Sequence, residues 1–282
     1  MVLLAAFIVI ESRSEHALMP LRIFRNRDRS AANLIMLFVG TAMVGMFFFL
    51  TIFVQTVWGY SALKTGIAYL PLVTGVMAMA GVSAALVPRI GALPLLLAGS
   101  AAAAGGMVWL SRISEHSTYG GGLLGPMLVT AAGLGMLFMP LTLVALSKVS
   151  DRDTGLAFSL PNVGQQVGGS IGLALLGTVA WTVVANTARN SAAAATAGHP
   201  LAGTATQVKT AIYDRALSAG FGRGFEVSAG IMLIALIIMI AAVRVRRADL
   251  AGAQITPGTP AADEASAEMA EAGQSGQAGP RG

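Results

Sequence analysis

Three observations predict an all-α polytopic membrane protein. Of its 282 residues, 55% are hydrophobic and only 11% charged, with a mean hydropathy of +0.72; soluble domains carry about 25% charged residues. Six segments, roughly 32–57, 66–87, 91–110, 120–146, 156–184 and 226–244, are apolar over lengths that suit a hydrocarbon core, which takes about 20 residues of helix. The pattern also repeats. Thr65-Gly66-Ile67-Ala68-Tyr69-Leu70-Pro71 returns as Thr154-Gly155-Leu156-Ala157-Phe158-Ser159-Leu160-Pro161, at an offset of 89 to 90. Upstream, Val39, Ala42, Gly45, Met46 and Phe48 meet Val129, Ala132, Gly135, Met136 and Phe138 at an offset of 90. Two consecutive spans repeating in register indicate duplication. Three spans per period is an odd number, so the two copies have opposite orientation in the membrane, a 3+3 inverted repeat.

Taken in order, residues 1–10 (MVLLAAFIVI) are apolar but too short to span, and no basic n-region precedes them. They are expected to be the end of a truncated transmembrane helix. Residues 11–31 form a basic linker, and 32–247 hold the six spans. An Ala-, Thr- and Ser-rich outer loop is expected over 185–225, with Val208, Ile212 and Leu217 hinting at a short surface helix. Residues 248–282 have almost no large apolar side chains and are expected to be a disordered cytoplasmic tail.

Orientation follows from the loop cations. One side collects Arg13, Arg22, Arg25, Arg27, Arg29, Arg89, Lys148, Arg152, Arg244, Arg246 and Arg247, eleven against six on the other. The Arg22–Arg29 loop and the C-terminus are therefore assigned to the cytoplasm of a plasma-membrane protein. Trp58, Tyr60, Trp109, Tyr119 and Trp181 all fall at the opposite span ends, where aromatic rings favour the headgroup level. The net charge of +5 suits a membrane surface, and no nucleic-acid partner is expected.

The stretch Asp151–Val184 combines two faces. No charge occurs over the thirty residues from Thr154. At 100° per residue, Phe158, Asn162, Gln165, Gln166 and Gly169 share one side, whereas Gly164, Gly168 and Gly172 share another. The glycines allow close backbone approach. The amides are costly in hydrocarbon unless they find partners or water, which makes them candidates for a substrate pathway. The competing reading is hydrogen bonding between helices, worth only about 0.6 kcal/mol per bond. Phe47 and Met136 belong to aromatic- and Met-rich runs that suit an adaptable apolar wall, and ordinary packing is their plainer explanation. Tyr69 and Phe158 occupy equivalent repeat positions just before Pro71 and Pro161, which interrupt the hydrogen-bond ladder and could support gating or static kinks alike.

Enzymatic chemistry finds no support. The chain has no cysteine, and His16, His116 and His199 lack ligand-like spacing, so neither a metal nor another cofactor is expected. No nucleophile elbow, zinc-protease helix or phosphate loop occurs.

The chain resembles the C-terminal half of a major facilitator superfamily multidrug exporter, of the fourteen-span drug:proton antiporter branch (EmrB/QacA type). The residues that carry the likeness are Pro20-Leu21-Arg22-Ile23-Phe24-Arg25-Asn26-Arg27, Gly133-Leu134-Gly135-Met136 with Pro140-Leu141-Thr142, and Arg152-Asp153-Thr154-Gly155-Leu156-Ala157 leading to Gln165-Gln166-Val167-Gly168-Gly169-Ser170-Ile171-Gly172. The family's Gly-rich loop has only a degenerate counterpart, Gly81 through Gly91. The resemblance implies a major-facilitator-type six-helix bundle. Spans holding Phe47, Tyr69, Met136 and Gln165 would line a central cavity, with 91–110 and 226–244 peripheral. It implies export of small lipophilic or cationic compounds coupled to proton influx, with the lipid bilayer, protons and a missing N-terminal half as partners. The rivals are a facilitator for sugars or siderophores and a non-transporting accessory subunit.

Overall fold

The computed structural model describes residues 27–146, 154–196 and 205–242. The expected truncated helix at 1–10, most of the linker 11–31 and the tail 248–282 lie outside the described residues. Among the described residues six α-helices are present: α1 (Arg27–Thr56), α2 (Ala62–Ile90), α3 (Ala92–Leu110), α4 (Leu124–Leu146, led in by the π-helical turn Tyr119–Leu123), α5 (Thr154–Thr196) and α6 (Ala205–Ala242). All six are long and apolar enough to cross a membrane. Pro71, Pro88, Pro140 and Pro161 all sit inside continuous helices. Between α2 and α3 the chain turns at Gly91, whose φ of 88° lies where a Cβ would be strained.

The packing obeys the repeat. α1 lies on α5 and α6, α4 lies on α2 and α3, and α3 meets α6. Exchanging α1, α2 and α3 for α4, α5 and α6 leaves these pairings unchanged. One departure stands out: α5 and α6 pack along each other, whereas α2 and α3 barely touch. Within this bundle α1 and α4 are the most enclosed helices and α2 the least.

The ends are tied by different chemistry. The Arg27 guanidinium donates to the Ala241 carbonyl at 2.6 Å, joining the start of α1 to the end of α6. At the other end Phe49 of α1 stacks on Phe221 of α6 with ring centroids 5.3 Å apart, and Phe53 and Phe225 are fully buried nearby. Trp58, Trp109 and Trp181 belong to this second end.

Two boundaries differ from the sequence reading. α1 begins at Arg27, inside the expected linker. More consequentially, the expected outer loop 185–225 is mostly helix. α5 continues through Thr196 and α6 starts at Ala205. The reason is local: 185–196 is Ala-rich and holds no Gly or Pro, and those breakers come only at Gly198 and Pro200. In α6, Leu217, Phe221 and Phe225 recur every four residues and are all buried, so this polar-looking stretch has a packed face.

Candidate functional site

The candidate site is built on α1, where Met43, Phe47 and Thr51 recur at four-residue spacing and are each half-buried. From α2, Tyr69 leans onto this row. Its ring lies 5.3 Å from that of Phe47, tilted by 47°. The Tyr69 hydroxyl is 2.9 Å from Thr51 Oγ1, and Thr51 in turn donates to the Phe47 carbonyl at 2.6 Å. From α5, Gln165 Nε2 points at Met43 Sδ, 3.6 Å away. Gln165, Met43, Phe47, Thr51 and Tyr69 thus form one run across three helices. It is a largely apolar, polarisable surface with two hydroxyls and one amide, and it has no charged member.

Not every candidate joins it. Asn162 and Gln166 are exposed on α5, away from the α1 contact. Met136 Cβ lies against Gly99 of α3, and its carbonyl accepts from Ser83 of α2 at 3.1 Å. Phe158 falls within α5, but its side chain is outside the described residues. Pro71 is half-buried and Pro161 buried.

The glycine row meets α1 directly. A Cβ on Gly164 would stand 3.2 Å from the Asn33 carbonyl, and one on Gly172 would stand 2.7 Å from Thr41 Cα. A Cβ on Gly168 would overlap the Leu37 backbone, and Gly40 of α1 answers with equal closeness to the Gln165 backbone. Thr41 Oγ1 donates across the contact to the Gly168 carbonyl at 2.8 Å. Gly169, grouped with the amides by the helical wheel, faces α1 as well, next to Val44. The seam is therefore wider than one row. It takes in Gly164, Gln165, Gly168, Gly169 and Gly172, and it separates Gln165 from Asn162 and Gln166.

Sequence reasoning missed Met43, Thr51 and Thr41. For Met43 and Thr51 a signal existed, since both lie one helical turn from Phe47. Thr41 carried none, because its role depends on which helix crosses it. No group of three metal-ligating side chains occurs among the described residues.

Comparison with known proteins bears on this arrangement. The Major Facilitator Superfamily profile matches residues 6–173. The Cephamycin export protein CmcT of Amycolatopsis lactamdurans is 38% identical over 179 residues, covering 62% of this chain and 37% of that protein. The Puromycin resistance protein pur8 of Streptomyces alboniger is 34% identical over 180 residues, covering 63% of this chain and 36% of that protein. The Tetracenomycin C resistance and export protein of Streptomyces glaucescens is 34% identical, with 62% and 32% covered. The chain therefore spans roughly a third of the length of these curated relatives. Among solved structures, a bacterial homologue of the human lysosomal transporter Spinster, in an inward-facing unoccupied conformation, superposes with a TM-score of 0.61 at 17% identity, covering 84% of this chain and 51% of that one. That likeness concerns the fold.

Proposed function

The chain belongs to the Major Facilitator Superfamily, and from that premise we propose that it supplies the C-terminal half of an exporter of small lipophilic or cationic compounds. The observation that carries the reading is the run from Gln165 through Met43 and Phe47 to Tyr69. A thioether and two aromatic rings offer dispersion and cation–π contact without fixing a hydrogen-bond pattern, which suits varied apolar cations better than sugars. The relatives named as export and resistance proteins support the same direction.

In this reading the fourteen-span drug:proton antiporter branch is the parent architecture. The remainder of the transporter covers the exposed stripe Leu63, Ile67, Leu70 and Met77 of α2 and the stripe Val163, Val167 and Ile171 of α5. It also supplies the membrane-embedded acid for proton coupling, because among the described residues Asp28 lies in the first turn of α1, Glu115 in the loop after α3, Asp214 beside Glu115, and Glu226 in an ion pair with Arg223. The Arg27 end of the bundle faces the cytoplasm, as the loop cations require. Pro71 and Pro161 serve gating, and Asn162 and Gln166 face the shared cavity.

The test is proton-gradient-driven efflux of a lipophilic cationic dye, from cells expressing 1–282 and from cells expressing an upstream-extended frame. Efflux from the longer chain alone supports the reading, whereas efflux from 1–282 alone removes the claim that the coupling acid lies elsewhere. In the active form, Gln165→Leu and Gln166→Leu are expected to change the range of exported compounds at unchanged abundance. An unaltered range over a broad panel would remove both residues from the pathway.

A further inference from the structure

At the Trp-bearing end, away from the run on α1, the loop after α3, Val183 of α5 and the Arg215–Glu226 stretch of α6 line an open cavity of about 670 Å³. Its lining includes Arg112, Glu115, His116, Arg215, Arg223 and Glu226. Arg223 and Glu226 engage each other one turn apart on α6. Among the described residues, the Arg112 and Arg215 side chains have no ion-pair or hydrogen-bond partner and remain exposed. Two guanidiniums therefore face one cavity with their forks free, a donor set that matches the oxygens of a phosphate.

The carboxylates complete the pattern. Glu115 lines both this cavity and the adjoining one of about 430 Å³, which also holds Asp214 and Arg215. Asp214 of α6 thus shares the smaller cavity with Glu115. Acids and cations are therefore interleaved here, and Glu115, 3.8 Å from His116 Nε2, is the acid common to both cavities.

Depth decides between a soluble ion and a lipid. Trp109, 50% exposed, stands just before the cavity on α3, and Trp181, 43% exposed, stands two residues before the lining Val183 on α5. Half-exposed indoles of this kind mark the headgroup level. About 10 Å along α6 from Glu226, at 1.5 Å per residue, Leu233 and Ile234 are exposed and apolar, a wall for acyl chains. The base of the cavity is closely packed, since Gly222 of α6 lies against the Ser111 carbonyl, where a Cβ would come within 2.7 Å.

We propose that this cavity binds the headgroup of an amine-bearing phospholipid of the phosphatidylethanolamine class, with the phosphate between Arg112 and Arg215 and the ammonium facing Glu115. Paired guanidiniums suit the oxygens of a headgroup phosphate, and here the added carboxylate selects a zwitterion over a purely anionic lipid.

Native mass spectrometry of the full chain in detergent tests it, with phosphatidylethanolamine, phosphatidylglycerol and inorganic phosphate as separate probes. One phosphatidylethanolamine per chain is expected, bound about tenfold more tightly than phosphatidylglycerol, the loss anticipated when one charge-assisted contact is absent. Arg112→Gln with Arg215→Gln should lower retention by at least about tenfold, whereas Arg189→Gln, on the same end of α5 but outside the cavity, should not. Ala219→Trp fills the cavity from an exposed position on α6 and should displace the lipid without touching a buried contact. Equal retention in all variants would overturn the site. Phosphate competing at concentrations where the lipid has no advantage would overturn the lipid assignment in favour of a soluble anion.

Discussion

The bundle makes one helix crossing twice and solves it differently each time. In the first repeat α2 lies on α4, and in the second α5 lies on α1. The facing residues correspond at an offset of 89: Leu72 with Pro161, Gly75 with Gly164, Met79 with Gly168, and Ser83 with Gly172. On α5 three of these four are glycine, and they admit the backbone of α1 at Leu37 and Thr41. On α2 the same levels carry Met79 and Ser83, so the space comes from the partner. Gly135 of α4 sits where a Cβ would be 2.5 Å from the Val76 carbonyl and 2.9 Å from Met79 Cβ. The polar link also changes sides. Ser83 of α2 donates to the Met136 carbonyl of α4, whereas Thr41 of α1 donates to the Gly168 carbonyl of α5. Close packing in lipid requires that one backbone at each level lack a side chain, and that a buried hydroxyl find an acceptor across the seam; which helix supplies either is free.

The largest expected effect breaks the α1–α5 crossing. Gly168→Leu forces its side chain into the Leu37 backbone, which cannot rotate away, and should destabilise by about 3 kcal/mol, at the upper end of overpacking costs. Loss of monodisperse material on size-exclusion chromatography in detergent reports it, and wild-type yield and melting temperature would show that the crossing is looser than described. Gly135→Leu attacks the α2–α4 crossing and should cost somewhat less, about 2 kcal/mol, because the nearest backbone atom, the Val76 carbonyl, stands farther from the added Cβ than the Leu37 carbonyl does at Gly168. If Gly135→Leu proves the worse of the two, the α2–α4 seam is the tighter one.

The hydroxyls come next. Thr41→Val keeps the shape of the side chain and removes the 2.8 Å bond to Gly168, for an expected loss of about 1 kcal/mol, within the range for interhelical bonds in membranes. Ser83→Ala removes the 3.1 Å bond to Met136 and should cost about 0.6 kcal/mol, the average for such bonds. Thermal melts of the two variants side by side test whether the two links are equivalent. The smallest stability change is expected for Tyr69→Phe, which loses the 2.9 Å contact with Thr51 and should shift stability by about 0.5 kcal/mol. Its readout is the compound range in efflux, and an unchanged range would make the Thr51–Tyr69 pair a plain structural bond.

The six spans were legible because each needs only a long apolar run, and the repeat was legible because duplication left the turn before Pro71 and Pro161 nearly intact. That Trp58, Trp109 and Trp181 share one end of the bundle was legible from their places at the span ends. The helical extensions over 185–196 and 205–225 were not, since a polar surface and a polar helix look alike until Leu217, Phe221 and Phe225 are seen to share a buried face. Nor was the division of the amides. Gln165 and Gln166 are neighbours in sequence, yet the breadth of the α1 contact draws one in and leaves the other exposed.

By itself, then, the sequence determined the solvent in which this protein folds and the six apolar helices among its described residues, because hydrophobic length acts residue by residue. Only the tertiary structure decided which glycine meets which carbonyl, that Thr41 rather than a residue of α5 closes its seam, and that Gln165, Phe47 and Tyr69 share one surface. Those contacts depend on where two helices cross, and a crossing point is a property of the pair.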